Sequence, residues 1–372
     1  MSAQTYLFET QLGTCGLAFT SKGICDIELP QDDDERLAER LLRHGDPAAE
    51  LPSSVAEAAS RIQRHLDGRA DSFAGVKLDL AGCPPFARKA YAAARRVKPG
   101  RTISYADLAT RGGSPGGARA AGRAMATNPT PIIVPCHRVL AADGGLGGFS
   151  AHGGVATKLR LLTMEGADLK QVARAGVRLL ARSDPGLAPI IRQAGRFRML
   201  ERQKEDAFTA LAQSIVHQQV SIKAGSTIFG RLLALAGDAG TLHADRVLAA
   251  GADELRGAGL SRQKQSYMLD LAQKTNSGEL ELARLDQMDD APVIRKLTSV
   301  KGIGRWSAQM YLMFRLGRLD VLPVDDLGLR KGVQRLLELP ELPSPKRIEE
   351  AAEAWAPYRS IATWYLWRSL EA

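Results

Sequence analysis

The chain has 372 residues, 45% hydrophobic and 24% charged, with a formal net charge of +9. That is long enough for two or three cores and too evenly mixed for a disordered or collagen-like polypeptide. Four cysteines, at 15, 25, 83 and 136, fit neither a disulfide framework nor a zinc-ligand spacing, so free thiols in a reducing compartment are expected.

No basic-then-apolar leader opens the sequence and no apolar run could span a bilayer, so a cytoplasmic location without membrane contact is expected. The charge is unevenly placed: net −6 over 1–83, +9 over 84–166 and +6 over 167–372. Polyanion binding is expected from the two basic stretches.

In the acidic first stretch, Tyr6-Leu7-Phe8, 16–20 and 24–29 read as strands of a small antiparallel sheet. Helical spacing follows over 33–43 and 53–66, and the run Asp32-Asp33-Asp34-Glu35 reads as a solvated helix start. No chemistry is visible there.

From Pro84 the chain turns to basic, alanine-rich helices over 86–96, from 104, and over 116–125, the last two arranged like a helix-turn-helix. Arg119 and Arg123, spaced i,i+4, share one face of a helix whose Ala118, Ala120, Ala121 and Gly122 allow close approach to a partner. The plain alternative is a tightly packed helix with solvated arginines.

Next, Pro135-Cys136-His137-Arg138-Val139 follows the apolar run Ile132-Ile133-Val134 and looks like a placed nucleophile. A free thiol with pKa near ~8.5 is only a few per cent thiolate at neutral pH, so a base must assist, and His137 and Glu165 are the candidates. Side chains of adjacent residues in extended backbone point apart, so a water is expected to bridge Cys136 and His137. The plain reading of Cys136 alone is a buried structural cysteine.

Taken together, Ile103-Ser104-Tyr105, Ala118-Arg119-Ala120, Asn128-Pro129, Pro-Cys-His-Arg-Val and Leu161-Leu162-Thr163-Met164-Glu165-Gly166 resemble, in order, the O6-alkylguanine-DNA alkyltransferases. The resemblance implies a small α+β domain over 1–83 and a helical, winged-helix-like catalytic domain over 84–167. It also implies that Glu165 orients His137, Asn128 holds the turn, Tyr105 assists at the guanine, and Arg119 enters the base stack as the nucleotide is flipped out. The product would be a thioether, so each molecule acts once. Ala87 departs from the family, which commonly has glutamine there, and leaves the start of that helix open.

From Asp168 the chain reads as helices almost without interruption. A helix over 206–216 leads into the polar junction His217-Gln218-Gln219-Val220-Ser221. Further on, Val300-Lys301-Gly302-Ile303-Gly304-Arg305-Trp306 puts two glycines around one aliphatic residue between helices. Such a hairpin can turn its amides to a DNA phosphate. Asp326 lies twenty residues past Trp306, where a helix N-cap is the plain reading.

Hairpin plus spaced aspartate, with Leu322-Pro323-Val324-Asp325-Asp326 and the terminal Trp364-Tyr365-Leu366-Trp367, resembles the helix-hairpin-helix 3-methyladenine DNA glycosylases. This implies an all-α domain over 168–372, with Asp326 as catalytic carboxylate, Trp306 and Trp367 lining the base pocket, and Gly302 and Gly304 at the DNA backbone. Gln218 or Gln219 stands where the family inserts a wedge. Trp306 occupies the position of the lyase lysine and the last 236 residues lack cysteine, so monofunctional hydrolysis without an iron–sulfur cluster remains.

The expectation is a multidomain repair protein acting on double-stranded DNA with alkylated bases, without metal, cofactor or obligatory protein partner. Two rivals stand beside it: a lesion-binding protein with only one active half, and a second half acting on oxidised or deaminated bases.

Overall fold

The first thirty residues form an antiparallel sheet in the order β1 (Gln4–Thr10), β2 (Gly13–Thr20), β3 (Gly23–Glu28), whose middle strand is buried from Cys15 to Phe19. The structure, a computed structural model, describes residues 3–31, 33–202 and 205–371, so Asp32 of the acidic run lies outside it. Two compact units result, Met1–Gly176 with Gln287–Asp289, and Val177–Asp286 with Asp290–Ala372.

Within the first unit, α1 (Asp34–Leu42) starts at the acidic run, Asp33 accepting the amide of Arg36. The apolar face of α2 (Ser53–Leu66), Val55, Ala59, Ile62 and Leu66, packs with Leu17, Phe19, Ile24 and Ile27 of the sheet. Burial of such side chains supplies roughly 1.5–3 kcal/mol each.

Beyond the sheet, α3 (Pro85–Ala94) begins at the proline and buries Ala87, so the missing glutamine does not disturb the helix start. There follow β4 (Ile103–Ser104), α4 (Tyr105–Arg111), α5 (Ala118–Ala126), β5 (Val139–Leu140) and α6 (Gly154–Met164). Parallel pairing of Ile103 with Val139 and Ser104 with Leu140 brings the start of α4 beside the segment that follows Cys136. The backbone there corrects one expectation: Cys136–Arg138 is a 3-10 turn, not an extended run.

The second unit is helical: α7 (Lys170–Ser183), which begins in the first unit, then α8 (Leu187–Ala194), α9 (Ala207–His217), α10 (Ile222–Ala236), α11 (Ala244–Gly257) and α12 (Arg262–Asn276). After them come α13 (Asp290–Thr298), α14 (Arg305–Met310), α15 (Leu327–Leu336), α16 (Pro345–Ala352) and α17 (Arg359–Ser369). A hairpin of two two-residue strands, Gly237–Asp238 with Thr241–Leu242, interrupts the helices. Among the described residues no helix is long and apolar enough to cross a membrane.

Between α13 and α14, Gly302 adopts φ +79°, and a Cβ there would lie 2.0 Å from the Tyr267 ring. Gly302→Ala is therefore expected to cost at least ~1–3 kcal/mol in denaturant unfolding of the second unit.

On β3, burial and the neighbouring Glu28 push the Asp26 carboxyl up to about 7, against a weaker opposing pull from Arg40, while His44 Nε2 lies 3.5 Å away. A folded pKa above the unfolded value means this group's contribution is complete below pH ~4 and is lost as pH rises through 7. Asp26→Asn should raise the melting temperature relative to wild type at pH 8 and change it least near pH 4; thermal scans across pH check this.

Two candidate active sites

A buried turn carries the thiol. Asn128 builds it: its Oδ1 accepts the Thr130 amide at 3.1 Å, while its Nδ2 donates to the Val134 carbonyl at 2.8 Å and to Cys136 Sγ at 3.2 Å. Between these anchors Ile132 is held at φ +72°, a strained value for a β-branched residue, so the surrounding contacts over-determine the loop.

Burial pushes the Cys136 thiol up, and the Asn128 amide, the Lys158 charge and the amides of Cys136 and His137 act against it. Lys158, buried on the apolar face of α6, donates to the Val139 carbonyl at 2.6 Å and lies 5.6 Å from the Tyr105 ring centre. Burial draws its pKa down to about 8.

Behind the thiol, His137 Nε2 lies 2.8 Å from Glu165 Oε1, and both side chains are almost fully buried. A carboxylate only accepts, so Nε2 carries the proton and Nδ1 is the basic nitrogen. Burial lowers the His137 pKa against the opposing pull of Glu165. For Glu165, burial acts to raise the carboxyl, but His137, His65 and Arg138 outweigh it and hold it well below the usual range. Arg138 grips both oxygens, Nε to Oε2 at 2.8 Å and Nη2 to Oε1 at 2.7 Å.

A cavity of about 430 Å³ opens over the sulfur, lined by Tyr105, Gly122, Met125, Cys136, Gly148 and Phe149. Tyr105 OH would lie 3.1 Å from a Cβ at Gly147, so this glycine admits the phenol to the wall. Arg119 and Arg123 are exposed on α5, and Gly122 of that helix reaches the cavity. The structure thus gathers Tyr105, Asn128, Cys136, His137 and Glu165, with the two arginines outside.

The second unit gathers another set. Asp326 caps α15, Oδ1 accepting the Leu329 amide at 2.6 Å and Trp367 Nε1 at 2.7 Å, while Oδ2 accepts Trp306 Nε1 at 2.8 Å. Asp326 is thus the N-cap that its local sequence suggests, and the same carboxylate meets both Trp306 and Trp367. Its three donors fix the plane of the carboxylate beside a cavity of about 940 Å³ whose walls include His217, Trp306, Tyr311, Phe314 and Trp367. Phe314 stacks on Trp367 at 5.9 Å, and Trp306 is 45% exposed at the mouth.

At the polar junction the two glutamines separate. Gln218 Nε2 donates to the Gly302 carbonyl at 2.9 Å and ties the junction to the hairpin, whereas Gln219 is exposed at φ +54°. Lys264 braces the same bend through the carbonyls of Val216 and Gln218, at 2.6 and 2.7 Å. Gly304 is the N-cap position of α14. No group of metal-ligating side chains is found among the described residues.

Sequence reasoning passed over His65, Arg138, Lys158 and Phe314. Lys158 and His65 each sit on an otherwise apolar helix face, the one signal that marked them. Nothing local marked Phe314, which reaches the cavity from a π-helical turn at Tyr311–Arg315.

Residues 85–167 match the family model of the 6-O-methylguanine DNA methyltransferase, DNA binding domain, and 212–357 that of the HhH-GPD superfamily base excision DNA repair protein. A DNA-3-methyladenine glycosylase 1 of Schizosaccharomyces pombe is 31% identical over 45% of this chain and 74% of its own. The methylated-DNA-protein-cysteine methyltransferase of Methanothermobacter thermautotrophicus is 38% identical over 32% of this chain, which spans 65% of that protein. A solved 3-methyladenine glycosidase of Bacillus halodurans is 38% identical, covering 52% of this chain and 88% of its own, with a TM-score of 0.48. This helix-rich, multidomain chain with small sheets belongs to the DNA-3-methyladenine glycosylases through its second unit, and residues 85–167 of its first are similar to the DNA-binding domain of the 6-O-methylguanine DNA methyltransferases.

Proposed function

We propose that the chain repairs alkylated double-stranded DNA in two ways, by moving the alkyl group of O6-alkylguanine to Cys136 and by hydrolytic excision of N-alkylated purines at Asp326. The buried Cys136, His137 and Glu165 set beneath an open cavity carries the first activity. His137 Nδ1 takes the thiol proton through a water, Sγ attacks the alkyl carbon, the bond to O6 breaks, and guanine leaves with the electron pair. Tyr105 assists at the guanine, and Arg119, with Arg123 beside it on α5, holds the gap left by the flipped nucleotide. The thioether is not reversed by thiol exchange, so the step occurs once per molecule.

Fixation of Asp326 by two indoles at an aromatic cavity supports the second activity. An N-alkylated purine is cationic and leaves readily, so a fixed negative charge beside the oxocarbenium-like sugar and an aromatic stacking surface suffice. Tryptophan faces attract such a cation by ~0.5–2 kcal/mol. Amides of the hairpin at Gly302 and Gly304 hold a phosphate, and Gln219 is the better placed wedge because Gln218 is tied to the Gly302 carbonyl.

In this reading the functional divisions are an α+β domain over 1–83, a winged-helix-like catalytic domain over 84–167 and an all-α helix-hairpin-helix domain over 168–372, in a cytoplasmic protein.

Incubation with an oligonucleotide containing O6-methylguanine should add one methyl mass to the peptide holding Cys136, and none in Cys136→Ala; no gain in wild type contradicts the first activity. For the second, Asp326→Asn should slow release of 3-methyladenine from methylated DNA by roughly 100-fold or more, while Cys136→Ala releases it at the wild-type rate.

A further inference from the structure

Glu165 receives one donor that the thiol, the imidazole and the turn do not supply. His65, at the end of α2 in the sheet-bearing part of the first unit, places Nε2 3.0 Å from Glu165 Oε1 across 100 residues of sequence. Its tautomer is fixed, because the Asp71 amide donates to His65 Nδ1 at 3.0 Å and leaves the proton on Nε2. Asp71 is itself clamped by Arg61, through Nε at 2.8 Å and Nη2 at 2.6 Å, and the His65 ring meets Phe73 edge-on at 5.1 Å. A buried ring oriented from both nitrogens and by packing is a built contact.

We propose that His65 is a positioning residue for the alkyl transfer, sharing Glu165 Oε1 with His137 and so limiting how strongly the carboxylate holds a proton on the catalytic imidazole. This rests on the reading of Cys136 as alkyl acceptor.

The physical argument is competition for one oxygen. Oε1 accepts from His137, His65 and Arg138 at 2.8, 3.0 and 2.7 Å, three donors on an atom with two lone pairs. Each additional donor disperses the charge that would otherwise favour an imidazolium at His137. Both His65 and Arg138 act to lower the His137 pKa, against Glu165. The other ionisable groups around the set are Cys136, with Lys158 and Tyr105 beside it, and Arg61 and Asp71 behind His65. Removing the His65 donor should therefore make His137 hold its proton to higher pH.

The test measures the single-turnover rate of methyl transfer from an O6-methylguanine duplex to Cys136 in the full chain, as a function of pH, with melting temperatures alongside. In His65→Leu the acid limb of the rate profile should move up by roughly half a pH unit to one unit, and His65→Gln, which restores an N–H donor, should return it toward wild type. His65→Phe keeps the ring against Phe73 without the donor, serves where the leucine variant fails to fold, and should move the limb the same way. Lowered melting temperature with an unmoved limb in the folded Leu or Phe variant, or an equal shift in the Gln variant, overturns the proposal. Absence of methyl transfer in wild type would instead overturn the reading of Cys136.

Discussion

A carboxylate taken out of water has to be matched by charge and hydrogen bonds or it would cost several kcal/mol, and the first unit is arranged around that constraint at Glu165. Its permanent cation is Arg138, which faces both oxygens in a fork that lysine could not reproduce. The same 3-10 turn that presents Arg138 also presents His137 and Cys136, so neutralising the acid and placing the thiol are one structural event. Pairing of β4 with β5 then brings Tyr105 into the wall of the cavity that Cys136 also lines.

The second unit solves a milder version of the problem. Asp326 stands at the start of a helix, where an N-cap carboxylate is favoured by the unsatisfied amides, and two indole N–H groups complete its shell at the edge of a cavity. All three donors hold the acid without a cation, which suits the role proposed for it, presenting negative charge to a developing positive one. The aromatic walls then supply stacking. In each unit the same short-range devices that end a turn or start a helix also position the thiol or the carboxylate at its cavity.

Much of this was legible because it is local. The short strands between turns, the helix starts at the acidic run and at Ser104, the glycine hairpin and the order of Asn128, Cys136, His137 and Glu165 all depend on neighbours within a few residues. What escaped depends on long-range packing. His65 reaches Glu165 only once α2 lies against the sheet, and Phe314 enters the cavity because a π-helical turn changes its direction. The backbone at Cys136 was misjudged because prolines on either side of an apolar run suggest extension, whereas the Asn128 side chain and strain at Ile132 bend the chain into a turn. Gln218 and Gln219 could not be separated by type, only by the bond of one to Gly302.

Two centres, one consumed by its reaction and one not, are the central claim. The most direct measurement takes a single preparation, titrates it with O6-methylguanine duplex until transfer stops, and then follows 3-methyladenine release by the same molecules. The account predicts that transfer ends at one methyl per chain, all on Cys136, while base release continues through many turnovers at the rate of the untreated protein. Methyl transfer beyond one per chain, or loss of base release in step with methylation of Cys136, would contradict it.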